Sequence, residues 1–114
     1  MIFIIEDDEM MAECLAGYCD SEVKIFHNAI DAMNDIDNGL PDLIFLDILL
    51  SGPDGFTFLN ELASYSDTLN IPVVIVSSLN LNNLDLSSYN IVGILNKDTM
   101  MPKEVKDYAK RYSH

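Results

Sequence analysis

The chain has 114 residues, 49% of them hydrophobic, which is enough for one domain with its own core and too apolar for a disordered segment. Nineteen Asp and Glu stand against six Lys and Arg, a formal net charge of −13, so the domain should repel nucleic acid and favour a divalent cation or a basic partner surface. The apolar runs are too short to span a bilayer, and Met1 leads straight into Ile2 with no basic segment ahead of it, which reads as a cytoplasmic chain without a leader.

Met1 to Ile5 forms the first apolar run and predicts a buried strand that stops on Glu6-Asp7-Asp8-Glu9. Met11, Cys14, Leu15 and Tyr18 follow at the spacing of an amphipathic helix, with Asp8 and Glu9 placed as N-cap and first-turn acid. Cys14 and Cys19 have no His or Cys companions at zinc spacing and read as buried thiols of a reducing compartment. Val23 to Phe26 predicts a short second strand, and His27 after it reads as an incidental loop residue. Ala29, Ala32, Met33 and Ile36 mark a second helix that Asn38-Gly39 ends.

Asp42 to Gly55 is the most informative stretch. Leu43 to Leu46 is a continuous apolar run, as expected of a strand buried on both faces of a parallel sheet, and it stops on Asp47. The breakers Gly52, Pro53, Asp54 and Gly55 then predict a loop before a third helix with Phe56, Leu59, Leu62 and Ala63 on its apolar face. Val73 to Val76 is a β-branched run ending in Ser77-Ser78. Leu79 to Asn90 is rich in Asn, Ser and Asp and predicts a short, weakly anchored fourth helix. Ile91 to Leu95 makes a fifth strand ending at Asn96-Lys97. Pro102 opens a last helix with Val105, Tyr108, Ala109 and Tyr112 inward, and the methionines read as core filler.

Five strands alternating with five helices predict one α/β domain over residues 1–114, with a parallel sheet and helices on both faces. In such a sheet the strand ends converge at one edge, bringing Glu6, Asp7, Asp47, Ser77 and Lys97 together. Clustered carboxylates repel unless a cation compensates, and hard oxygen donors with room for phosphate and water suit Mg²⁺. A lysine and a small hydroxyl beside them suit phosphoryl transfer to a carboxylate nucleophile.

In these residues, and in the D-x-x-L-x-x-x-D-G frame of Asp47, Leu50, Asp54 and Gly55, the chain resembles the receiver domains of two-component response regulators over its whole length. The resemblance implies a flavodoxin-like (βα)5 fold with strand order 2-1-3-4-5. It implies that Asp47 accepts a phosphoryl group from a histidine kinase or histidine phosphotransfer protein. Asp7, Asp47 and the backbone carbonyl of Leu49 would hold Mg²⁺, with Glu6 acting through water. Ser77 and Lys97 would engage the phosphoryl oxygens and, by moving, restructure the face of the fourth helix, fifth strand and last helix toward a downstream protein or effector domain. The resemblance implies no enzyme beyond this self-phosphorylation and its reversal, no nucleic-acid or membrane contact, and a monomer or weak dimer.

The chain departs from the family pattern at Ser51 in place of a frequent proline, at Ile94 in place of an aromatic switch residue, and at Asp98 after Lys97, where a proline is common. Leu49 and Leu79, two residues after Asp47 and Ser77, fall where the family modulates loss of the phosphoryl group. An aspartate-nucleophile phosphatase of the haloacid-dehalogenase type would want a second acid at Leu49. A receiver-like interaction module that is never phosphorylated is the other alternative.

Overall fold

A computed structural model describes residues 1–50, 54–81 and 85–113. Five parallel strands form one sheet in the order β2-β1-β3-β4-β5, with β1 at Ile2–Ile5, β2 at Val23–Phe26, β3 at Leu43–Leu46, β4 at Val73–Ser77 and β5 at Ile91–Asn96. Four helices accompany them: α1 at Glu9–Gly17, α2 at Ala29–Ile36, α3 at Gly55–Ala63 and α4 at Pro102–Tyr112. The central strands β1, β3 and β4 are buried along their whole length, which is why they read as unbroken apolar runs. The outer strands β2 and β5 are only partly covered.

The sheet has a core on each face. Phe3, Ile5, Ile44, Leu46 and Ile75 pack against Ala32 and Ile36 of α2 and Phe58, Leu59 and Leu62 of α3. Ile2, Ile4, Phe45 and Val76 pack against Ala12 and Leu15 of α1 and Val105 and Ala109 of α4. Three helices start on side-chain caps. Asp8 accepts the Met10 and Met11 amides at 3.0 and 3.3 Å, Asn28 accepts Asp31 N–H at 2.8 Å, and Asp54 accepts Thr57 N–H at 3.0 Å.

The helix expected between β4 and β5 is absent among the described residues, which hold four helices rather than the expected five. Side chains that compete for backbone and neighbouring partners account for this. Asp85 accepts both the amide and the hydroxyl of Ser87, Tyr89 donates to Asn60 Oδ1 at 2.5 Å, and Asn90 donates to the Asn70 carbonyl at 2.7 Å. Leu81 is buried against the sheet, and Leu86 and Tyr89 pack partly beside it, occupying the space a helix face would fill.

Three smaller expectations hold only in part. Cys14 points to solvent and Cys19 is half-buried, because α1 turns Ala12 and Leu15 inward rather than the Cys14 face. In α3 Phe58 joins Leu59 and Leu62 in the core as well, while Phe56 packs against it half-buried and Ala63 is only partly covered. Met1, Met11, Met33 and Met100 pack against the two cores as expected, whereas Met10 and Met101 are largely exposed. Ser51, Gly52 and Pro53 lie outside the described residues.

Candidate functional site

The C-terminal edge of the sheet gathers the ends of β1, β3, β4 and β5. Paired registers place Ile5 beside Leu46, so Glu6 and Asp47 leave their strands at one level, while β4 and β5 run further before Ser77 and Asn96 pair and Lys97 follows. Asp47 N–H donates to the Ile5 carbonyl at 3.0 Å, and Lys97 N–H donates to the Ser77 carbonyl at 3.1 Å. The β1–β3 crevice is also where the strand order reverses, the place where open α/β sheets hold their ligands.

Asp47 is buried, 4% exposed. Its Oδ1 accepts the Leu49 amide at 3.1 Å, and its Oδ2 accepts Lys97 Nζ at 3.0 Å. Lys97 also forms an ion pair with Glu6 Oε1. The lysine therefore bridges two buried carboxylates that come from different strands. Ser77 is buried at the end of β4, and its Oγ accepts the Leu79 amide at 3.1 Å. Asp7 is exposed beside the pair, and one oxygen each of Glu6, Asp7 and Asp47 lies within 4.8 Å of the others.

This cluster fits a divalent cation. All three donors are hard carboxylate oxygens, and a single ammonium cannot neutralise three of them. Sequence reading anticipated the members but not their depth. Glu6, expected to act through water, is the most deeply buried of the three acids and sits on Lys97, whereas Asp7 faces solvent. His27 is less incidental than expected: its Nδ1 donates to the Glu6 carbonyl at 2.9 Å and ties the β2–α2 turn to the site. The sequence carries no signal for that contact beyond the residue following a strand end.

Burial, followed by a hydrogen bond to Asp47, pushes the Glu6 carboxyl up to about 7, and Lys97 only partly offsets this. Burial works against the Lys97 charge, but hydrogen bonds to Glu6 and Asp47 hold the ammonium above its ordinary value. An acid that binds its proton more tightly when folded makes stability fall as pH rises from about 4.5 through about 7. In metal-free buffer the protein should therefore be less stable at pH 7.5 than at pH 5.5, by about 2 kcal/mol in urea denaturation. Glu6→Gln should flatten that slope; an unchanged slope would place the titration elsewhere.

The D-x-x-L-x-x-x-D-G frame has a structural reason at each place. Leu50 is buried, Asp54 caps α3, and Gly55 N–H donates to the Ile48 carbonyl at 2.9 Å. A Cβ on Gly55 would stand 2.7 Å from Ile48 Cα and 2.8 Å from the Asp47 carbonyl oxygen, so only glycine lets α3 press on the backbone that carries Asp47. Gly55→Ala should cost about 1–3 kcal/mol in urea denaturation, and a parental midpoint would show that the backbone yields freely.

Fold and site together define a flavodoxin-like α/β domain with an acidic cluster at the switch-point edge of its sheet. The chain belongs to the response regulator receiver domain family, whose model matches residues 2–108. It is 32% identical over 81 residues to the response regulator PleD of Caulobacter vibrioides, an alignment that takes in 68% of this chain and 18% of PleD, so the chain spans about a fifth of that relative. The receiver domain of NtrX from Brucella abortus superposes with a TM-score of 0.84 at 24% identity, over 98% of this chain and 97% of that one. The Mn²⁺-bound response regulator Rcp1 superposes with a TM-score of 0.78 at 23% identity, over 93% and 88% of the two chains. No helix among the described residues is long and apolar enough to cross a membrane.

Proposed function

We propose that the chain is the phosphoacceptor module of a two-component pathway and that Asp47 receives the phosphoryl group. The observation that carries this reading is the buried Asp47 carboxylate at a strand end, with Lys97 on one oxygen and Glu6 and Asp7 alongside. The donor is a phosphohistidine on a histidine kinase or a histidine phosphotransfer protein. An Asp47 oxygen attacks phosphorus, the P–N bond to the donor imidazole breaks, and the imidazole leaves with its electron pair and takes up a proton. Glu6, Asp7, Asp47 and the Leu49 backbone carbonyl would hold Mg²⁺, a role that the Mn²⁺-bound relative supports. When bound, that ion supplies charge neutralisation for the phosphoryl oxygens.

Lys97 is placed to leave Glu6 and follow the new phosphoryl oxygens, and Ser77 Oγ is placed to exchange the Leu79 amide for a hydrogen bond to one of them. A backbone hydrogen bond from Lys97 N–H to the Ser77 carbonyl holds the two strand ends side by side. The signal leaves through the β4–β5 connection, β5 and α4 to a downstream protein or effector domain. The face proposed for output thus lacks a helical first member among the described residues, and Ile94, 49% exposed on β5, stands in it without an aromatic ring. The domain acts as a monomer or weak dimer in the cytoplasm and catalyses nothing beyond acceptance and loss of its own phosphoryl group.

The test is incubation with acetyl phosphate and Mg²⁺ followed by intact-mass measurement. The parent should gain one phosphoryl group and Asp47→Asn none. Labelling that persists in Asp47→Asn would move the acceptor to another residue, and no labelling of the parent would favour the unphosphorylated interaction module.

A further inference from the structure

We propose that the groove between α2 and α3 is a second docking surface, and that its occupant is a basic amphipathic helix of a partner protein. Two cavities of about 230 and 210 Å³ lie along these helices. They share Met33, Asn34 and Glu61 in their linings, so they adjoin along one groove. It starts beside Ala29 in the first turn of α2 and reaches Asp37 just past its last turn. At 1.5 Å per residue, the eight residues of α2 make it about 12 Å long, room for about two turns of a helix.

The chemistry of the groove narrows what fits. Its floor is apolar, from Met33 and Phe58, and two large side chains stand open at its ends, Ile30 at 55% and Tyr65 at 56% exposure. Its rim is acidic, from Asp37, Glu61 and Asp67, and no Lys or Arg lines either half among the described residues. Lys24, on the neighbouring strand, is held 2.9 Å from Asp35 and so does not offset the rim. An apolar floor flanked by unopposed carboxylates matches a helix with leucine-like anchors at i, i+3, i+4 and i+7 between lysines or arginines. The same carboxylates disfavour a nucleic acid, an anionic membrane surface, or a second copy of a chain at −13. This surface is built from α2, α3 and the turns that follow them, and uses none of Glu6, Asp7, Asp47, Ser77 or Lys97.

The test uses the full chain and a synthetic Leu/Lys peptide of about fourteen residues patterned as an amphipathic helix. Amide chemical shifts followed at physiological ionic strength should move in residues 29–37 and 57–68. A Gly/Lys peptide of equal charge and a Leu/Glu peptide of equal pattern should leave those amides in place. Ile30→Gln with Tyr65→Gln changes two exposed side chains, so the fold should persist, and Leu/Lys affinity should fall by about tenfold. Glu61→Lys with Asp67→Lys should turn the preference toward the Leu/Glu peptide. Shifts spread around Glu6 to Glu9, equal binding of the Gly/Lys peptide, or undiminished binding by the Ile30→Gln, Tyr65→Gln variant would each overturn the proposal. Self-association through the same amides without peptide would overturn the stated occupant.

Discussion

Lys97→Met should lower the melting temperature by about 10 °C in metal-free buffer at neutral pH. The lysine lies between two carboxylates that are 1% and 5% exposed by side chain, and it is itself 17% exposed. Removing one partner of a buried ionic group leaves the others uncompensated, which costs about 3–5 kcal/mol in well-buried cases; partial access of water to Lys97 brings the expectation to roughly 2–4 kcal/mol. For a domain of this size that corresponds to about 4 °C or more per kcal/mol. The loss should be smaller at pH 5.5, because Glu6, whose carboxyl already titrates near 7, can take a proton in place of the missing ammonium. Mg²⁺ should stabilise the variant more than the parent, since the ion no longer competes with Lys97 for Glu6 and Asp47. A ligand at a hundredfold excess over its Kd adds about 2.7 kcal/mol when it binds only the folded state. Thermal melts of both proteins with and without Mg²⁺ at two pH values decide the matter. An unshifted midpoint at neutral pH would mean that the buried carboxylates have another counter-charge.

The sheet and the membership of the site are legible in the sequence because both rest on period and position. Three strands buried on both faces leave unbroken runs at Ile2–Ile5, Leu43–Leu46 and Val73–Ser77, and each run ends on or beside a polar residue that a parallel sheet delivers to the same edge. What is not legible depends on contacts far apart in sequence. No periodicity reveals how Leu81, Leu86 and Tyr89 cover the sheet, because that depends on Tyr89 finding Asn60 and Asn90 finding Asn70. The rotation of α1 is equally hidden, because Cys14 and Ala12 are both compatible with the Leu15 face, and only packing against β1 and β3 turns Ala12 in. The depth of Glu6 is concealed in the same way. In sequence it is one of four consecutive acids, and its burial rests on the distant Lys97 and Asp47 together with the Asp8 amide.

Leu49→Asn combined with Leu79→Glu should shorten the life of the phosphorylated form by about ten- to a hundredfold, a barrier change of about 1.4–2.7 kcal/mol. Hydrolysis of an aspartyl phosphate needs a water in line with the leaving carboxylate oxygen, and holding that water in place removes much of the entropic cost of the attack. The two leucines occupy equivalent local positions. Leu49 follows Asp47 by two residues and donates its amide to Asp47 Oδ1, and Leu79 follows Ser77 by two and donates its amide to Ser77 Oγ. These short turns anchor both backbones at the site, while the side chains stand 57% and 41% exposed at its edge. Leu79 therefore does not pack inward as the start of a helix would require, and its side chain can crowd the approach to Ser77. Neither side chain can hydrogen-bond an attacking water, so the phosphorylated parent should be long-lived and need a partner phosphatase, or return of the group to its donor, to reset. Because both positions are exposed, the exchange should leave folding intact, which a melt can verify separately. The protein is loaded with acetyl phosphate and Mg²⁺, the donor is removed, and decay is followed by intact mass. Equal decay of parent and variant would show that the two leucines do not govern access of water, whatever the rate itself proves to be.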